Sequence, residues 1–402
     1  MTRAAIRSAL TVLGICLIGA EIAAAAEQPP ASPFRFSGEV RGELTDNRDF
    51  VDQGRESNFD LFLTPRVTAG LHPGRSILEV HYAPSLRYRA NPSDTENDAV
   101  LFHDFGLHLE HAPITQIKLR LRESLYYTAD PRIEEGGAAV RANNSYLWNR
   151  VEAGVIYQFP TTPHMDLDAH VSDVIKRYDD DTVAEQYDED VVEGGLQVLR
   201  QLRETIAAKA IGRVVDYGYR EIADVATRDF TVLIAALGMD KNFTPKVRGG
   251  FALGWASANY KNDALGADDG PYGEITIRGE LQPDKRVDVA LSHSMRDSDA
   301  YPYPSQEFTE LSTRGEWGAL NAKVIVGLQG VYRLGNYDTE FASGGVNYAA
   351  GDDTTVVLAA DVAVKVGNQG TVKFIQKFED VSSDVRLPYT KNTSSLAYQV
   401  AF

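Results

Sequence analysis

Cysteine is almost absent: Cys16 is the only one in 402 residues, and it lies inside an apolar run at the amino end. The rest of the chain therefore has no thiol, which excludes disulfides, thiolate metal sites and cysteine nucleophiles. Long apolar stretches are missing too. Past Ala26 none approaches the roughly 20 residues of a spanning helix, so helical insertion is excluded. Cations are outnumbered, with 40 Lys and Arg against 57 Asp and Glu and a net charge of −17. That acidity argues against nucleic acid or an anionic membrane surface as partner. No Gly-rich phosphate loop, zinc-ligand spacing or haem motif is present, so no cofactor or metal is expected.

What is there begins with the layout of a secretory signal. Arg3 and Arg7 form a positive start, an apolar run follows from Ala9 to Ala20, and Ala24 and Ala26 suit cleavage before Glu27. Ile15 stands where a lipoprotein signal needs a small residue before its cysteine. The expected organisation is a signal peptide over 1–26, a short periplasmic lead over 27–35 and one domain over 36–402. That lead is too short for a plug or an energised-transport segment.

The domain repeats one pattern, a run alternating apolar and polar residues followed by a break. Ile117-Lys118-Leu119-Arg120-Leu121-Arg122 is the clearest run. Its period of two puts aliphatics on one side and cations on the other, whereas a helix would scatter them. The breaks alternate in kind. Tight ones carry Pro, Asn or Gly: His72-Pro73-Gly74, Ala112-Pro113-Ile114, Pro160 to Pro163, Asn242 to Pro245 and Gln282-Pro283-Asp284. Longer acidic ones fall at 47–57, 92–98, 129–144, 178–188, 217–228, 261–271 and 297–306. Short turns on one side and long loops on the other predict an all-β fold, a transmembrane antiparallel up-and-down β-barrel of about 16–18 strands, 18 favoured. Two readings stay open over 335–384: a strand at 338–350 with one long strand at 354–380, or a loop at 335–353 with strands at 354–366 and 371–383.

The carboxyl end is the most specific signal. Leu396, Tyr398, Val400 and Phe402 share one face of the last strand, and the chain stops on the aromatic. Such an ending resembles the assembly signal by which outer-membrane barrels are recognised. It makes the barrel assembly machinery, outer-membrane lipid and lipopolysaccharide the expected partners. Physically, this strand must join the first to remove the open edges.

Inward positions carry both signs: Arg66, Arg87, Arg89, Lys118, Arg120, Arg122, Arg150, Glu152, Lys209, Glu274, Arg278, Glu310, Arg314, Glu316, Lys323 and Lys373. A functional reading makes them a pore lining selective for an anionic or polyhydroxylated solute, with Arg87, Arg89, Lys118, Arg120 and Arg122 as a basic ladder. The plainer reading, which we favour, is cross-strand pairing with carboxylates. The carboxylates of 178–190 could hold calcium or magnesium, but they lack the glycine and spacing of an EF-hand loop, and a solvated loop is the simpler reading. Catalysis is not expected. Ser292 and Ser294 flank His293 but point to the opposite face, and Asp166, Asp168 and His170 share an inward face without convergent partners.

From residue 36 on, the short hairpins, terse turns such as His72-Pro73-Gly74 and the Leu396–Phe402 ending resemble the outer-membrane β-barrel porins that accompany bacterial exopolysaccharide export. The resemblance implies a porin-like channel of a Gram-negative outer membrane. Its specific form would be a conduit for exopolysaccharide or oligosaccharide, with polysaccharide-export components as partners. The alternatives are a structural or adhesive barrel with a closed lumen and functional acidic loops, and a lipid-modifying barrel enzyme.

Overall fold

The computed structural model describes residues 33–90, 98–129, 144–160, 164–220, 227–263, 265–282, 284–337, 341–343 and 346–402. The expected signal peptide and most of the lead lie outside the described residues, as do most of the expected loops at 92–98 and 129–144.

The described chain is a succession of antiparallel strands. They are β1 (Phe34–Thr45), β2 (Asn58–Leu71), β3 (Ser76–Tyr82 and Ser85–Arg89), β4 (Ala99–Ile114), β5 (Ile117–Thr128) and β6 (Tyr146–Gln158). Next come β7 (Met165–Tyr178), the helix α1 (Asp181–Tyr187), β8 (Glu189–Arg203), β9 (Ile206–Tyr219), β10 (Phe230–Thr244), β11 (Val247–Tyr260) and β12 (Ala267–Gln282). Then follow β13 (Lys285–Asp297), β14 (Ser305–Ala319), β15 (Val324–Tyr337), β16 (Gly351–Val366), β17 (Gly370–Ser383) and β18 (Tyr389–Ala401). The two pieces of β3 pair with the same neighbours, β2 and β4. Pro84 separates them because it has no N–H to give the ladder.

Each strand pairs with the next, and β18 returns to β1, with Ala401 opposite Ser37 and Thr393 opposite Thr45. The result is a closed antiparallel barrel of 18 strands without a free edge. Over 335–384 the loop reading holds: β15 ends at Tyr337, and β16 and β17 form a hairpin. A three-residue hairpin, Phe341–Ser343 with Val346–Tyr348, lies in that loop.

Alternation decides the two faces. Leu237 is 71% exposed and Leu396 58%, both on the outward face, while Arg87, Lys209 and Arg333 on the inward face are buried. The apolar surface therefore lies largely outside, while inside one buried apolar cluster runs from Ile211 and Val215 on β9 through Phe230, Val232 and Ile234 on β10 to Tyr272 on β12. Among the described residues no helix is long and apolar enough to cross a membrane; the strands carry the span.

Two expected turns shift. Ala112-Pro113-Ile114 belongs to β4, where a bulge accommodates Pro113, and the turn is Thr115-Gln116. Asn242 to Thr244 likewise belongs to β10, and the turn is Pro245-Lys246, held by the Thr244 hydroxyl, which accepts from the N–H of Lys246 and Val247. Lys323 falls in the turn 320–323 rather than on a strand. The stretch 178–188 contains α1. The largest departure is 297–306, expected as a solvated outer loop: Asp299, Ala300 and Tyr303 are buried within the mouth of the barrel.

Candidate functional site

The inward charges are for the most part already paired. Arg89 meets Asp60 at 3.4 Å, Lys118 meets Glu110 at 3.2 Å and Arg122 meets Glu152 at 4.0 Å. Arg150 also reaches Glu152, at 3.3 Å. Arg120 skips a strand, crossing β6 to place Nη2 2.6 Å from Asp168 on β7. It can do so because Gly154 lies beneath it; a Cβ there would stand 2.8 Å from Arg120 Nε. Lys209 reaches Asp240 at 3.1 Å and Glu274 at 3.5 Å, Arg278 meets Asp288 at 2.7 Å, Arg314 meets Glu316 at 2.7 Å and Lys373 meets Asp361 at 3.3 Å. Arg87 lies over the Phe102 ring, and Arg66 is exposed on the inward face of β2. Arg89, Lys118, Arg120 and Arg122 thus form a ladder of ion pairs, which inward neighbours of opposite sign produce without a ligand.

The mouth is built from 298–304, between β13 and β14. On one side Arg333 holds this loop, donating Nη1 to Asp299 Oδ2 at 3.3 Å and Nη2 to Glu310 Oε2 at 2.7 Å. The Tyr303 ring packs 4.9 Å from Tyr337, and its hydroxyl donates to the Ala349 carbonyl. On the other side, beyond β10–β13, the Tyr219 hydroxyl donates to the Pro304 carbonyl at 2.9 Å. Arg228 sits over both Tyr219 (4.2 Å) and Tyr301 (5.0 Å) and donates to the Gln186 carbonyl. Burial pulls the Arg228 guanidinium below arginine's ordinary pKa. The loop therefore bridges two walls and narrows the outer opening.

Below it the interior opens. A cavity of about 1080 Å³ lies at the inner end, bordered by Lys209, Lys241, Arg248, Arg278 and Arg314 and by the carboxylates of Asp166, Glu204, Asp240 and Asp288. One row of facing residues crosses it on successive strands: Asn242, Arg248, Arg278, Asp288, Arg314, Gln329. Three guanidiniums share that row with a single carboxylate, which Arg286 also contacts, at 2.6 Å. Arg248 directly opposite Arg278 is an unfavourable like-charge pair that a bound or passing anion would relieve.

Sequence reasoning named Arg278 and Arg314 but missed Arg248 and Arg333. Arg333 was within reach, since it alternates with Tyr332 and Leu334. Arg248 precedes Gly249-Gly250, where alternation is faint, and only the register sets it against Arg278. The remaining candidates do not converge. His170 faces Glu193 at 3.4 Å while Asp168 belongs to Arg120. His293 contacts Thr309 and Glu307 on the outward face, away from Ser292 and Ser294. In 178–190, Asp180 caps α1, Asp188 accepts from the Tyr178 N–H and Asp190 pairs with Arg177. Burial raises the Asp188 pKa, opposed by that N–H and by Arg177.

Fold and interior define a closed barrel of the outer-membrane kind, narrowed at one end and hollow at the other. No family model and no curated protein matches the chain. Among solved structures it is similar to the outer membrane protein OpdK of Pseudomonas aeruginosa, with a TM-score of 0.50, 11% identity, and coverage of 92% of this chain and 99% of that one. OccK5 (OpdH) of the same organism gives 0.48 at 12% identity, covering 92% and 100%. OccAB4 of Acinetobacter baumannii gives 0.48 at 10% identity, covering 92% and 99%. At such identities the likeness to OpdK is one of fold.

Proposed function

We propose that the chain is a diffusion channel of a Gram-negative outer membrane, passing small water-soluble solutes and favouring anions at its inner end. The outward apolar belt and the closing strand Leu396–Phe402 support the location. The observation that carries the function is the hollow inner half, where Arg248, Arg278 and Arg314 outnumber Asp288 in the facing row. An exopolysaccharide or oligosaccharide conduit is the finer reading, and it requires 298–304 to leave the mouth. A structural barrel is favoured if that loop closes the lumen outright.

Planar-bilayer recording under a salt gradient separates them. Discrete steps with an anion-directed reversal potential are expected, and serine at Arg248, Arg278 and Arg314 together moves that potential toward cations. Absence of conductance sinks the channel; an unmoved potential sinks the role of the row. Block by an oligosaccharide in proportion to its chain length would speak for the polymer conduit.

A further inference from the structure

Ionisable groups facing lipid in a membrane barrel are costly and rare, yet Glu123 occupies such a position. It lies on β5 between Leu121 and Leu125, with Leu107 opposite on β4 and Val151 opposite on β6. Six residues above the inner end of β5, at about 3.3 Å per residue and a tilt of about 40°, it stands roughly 15 Å up an apolar belt about 25 Å tall. Two strands on, Asp173 repeats the placement, set between Val171 and Ile175 and opposite Val151 and Val192. Asn149, opposite Leu125, faces the same way, and its Oδ1 is buried with no hydrogen-bond partner.

The same sector differs in its apolar surface. Every other strand of the barrel presents at least one large, well-exposed apolar side chain, such as Leu237 on β10 or Leu328 on β15, but β5, β6 and β7 present none. Small outward residues, Ala153 and Ala169, stand where a second wall would approach.

We propose that the outward face of β5–β7 is a two-fold contact with a second copy of this chain. The face is self-complementary. Asn149 offers an amide donor, its carbonyl oxygen being buried, and the carboxyl group of Glu123 offers the matching acceptor. About a two-fold axis, Glu123 of each copy meets Asn149 of the other, the isologous arrangement of a closed dimer. A lipid tail offers neither donor nor acceptor. The contact rests on the barrel lying in the bilayer, as proposed above, and is independent of what the lumen passes.

Val151 stands between the three polar groups, and the scarcity of cysteine makes it a clean probe. In a Cys16→Ser background, oxidation of Val151→Cys in outer-membrane preparations is expected to give a disulfide-linked dimer. Leu328→Cys, on the outward face of β15, is expected to stay single. Glu123→Leu with Asn149→Leu should weaken the dimer roughly tenfold on dilution, the scale of a lost polar contact in a membrane. The native mass of the unsubstituted chain in mild detergent needs no variant: a dimer is expected, and a monomer or a ring of three overturns the proposal. So does Val151→Cys linking no more than Leu328→Cys. A dimer that links normally but never conducts counts against the channel alone.

Discussion

The outer and inner halves of the barrel interior use the same residue types in opposite states. At the mouth, the Arg333 and Asp299 side chains are 2% and 6% exposed, and Arg386 is fastened to Asp353 with 10% and 4% exposed. At the inner end, Arg314 and Glu316 are 51% and 37% exposed although they sit at 2.7 Å, the distance from Arg333 to Glu310 at the mouth. Distance does not separate these pairs; water does. The loop 298–304 carries Pro302, Tyr303 and Asp299 into the opening and excludes solvent there, while among the described residues the space beside Arg248 and Arg314 stays open. A buried pair is costly to break because a lone charge is left in low dielectric, whereas an exposed one is replaced by water at little cost. The mouth is therefore a structural device made of charges, and the inner row is a solvated surface that a solute can meet.

The sharpest way to break that division is to remove the loop. Replacing 299–303 with two glycines takes away the Arg333 and Tyr303 anchors, and single-channel conductance is expected to rise several-fold while the reversal potential stays anion-directed. Unchanged conductance would show that the narrowing lies elsewhere. A smaller effect separates the two kinds of ion pair. Arg333→Ala strands Glu310 and leaves Asp299 to Arg296, 3.4 Å away, and is expected to cost about 3 kcal/mol. Arg314→Ala should cost no more than about 1 kcal/mol. Urea unfolding of the refolded barrel, followed by tryptophan fluorescence, measures both; equal losses would erase the distinction between the halves.

Much of the wall was legible in the sequence because period-two alternation is local. Runs such as Ile117–Arg122 assign faces without knowledge of any partner strand. Where alternation fades, the sequence misleads: β12 begins at Ala267, inside the break expected at 261–271, because Ala267-Asp268-Asp269-Gly270-Pro271 looks like a loop. The site was less legible, since it depends on register. That Arg120 spends its charge on Asp168 requires knowing that Gly154 lies between them. That 298–304 folds inward requires Arg333 and Tyr219, both remote along the chain. Its acid-, Pro- and Tyr-rich composition is that of an exposed loop, and anchors remote along the chain, Arg333, Tyr219 and Tyr337 among them, turn it inward.

The smallest effect concerns α1, beside the mouth, where charge serves local structure in full contact with water. Asp180 accepts from the Thr182 hydroxyl and from the backbone N–H of Thr182 (2.9 Å) and Val183 (3.2 Å). These bonds, the hydroxyl's first, hold its carboxyl below the ordinary aspartate value of 3.8. Because the folded form has the lower pKa, the stabilisation is complete above pH 3.8 and is lost as pH falls through the lower folded value. Pepsin, active in that range, is expected to begin cutting within 181–187 as the pH drops below this window. Asp180→Asn keeps an acceptor for the helix end but has no proton to gain, so its cleavage should lose that pH step, while Asp180→Ala should be cut across the whole range. If the asparagine variant retained the step, the cap would not be its source.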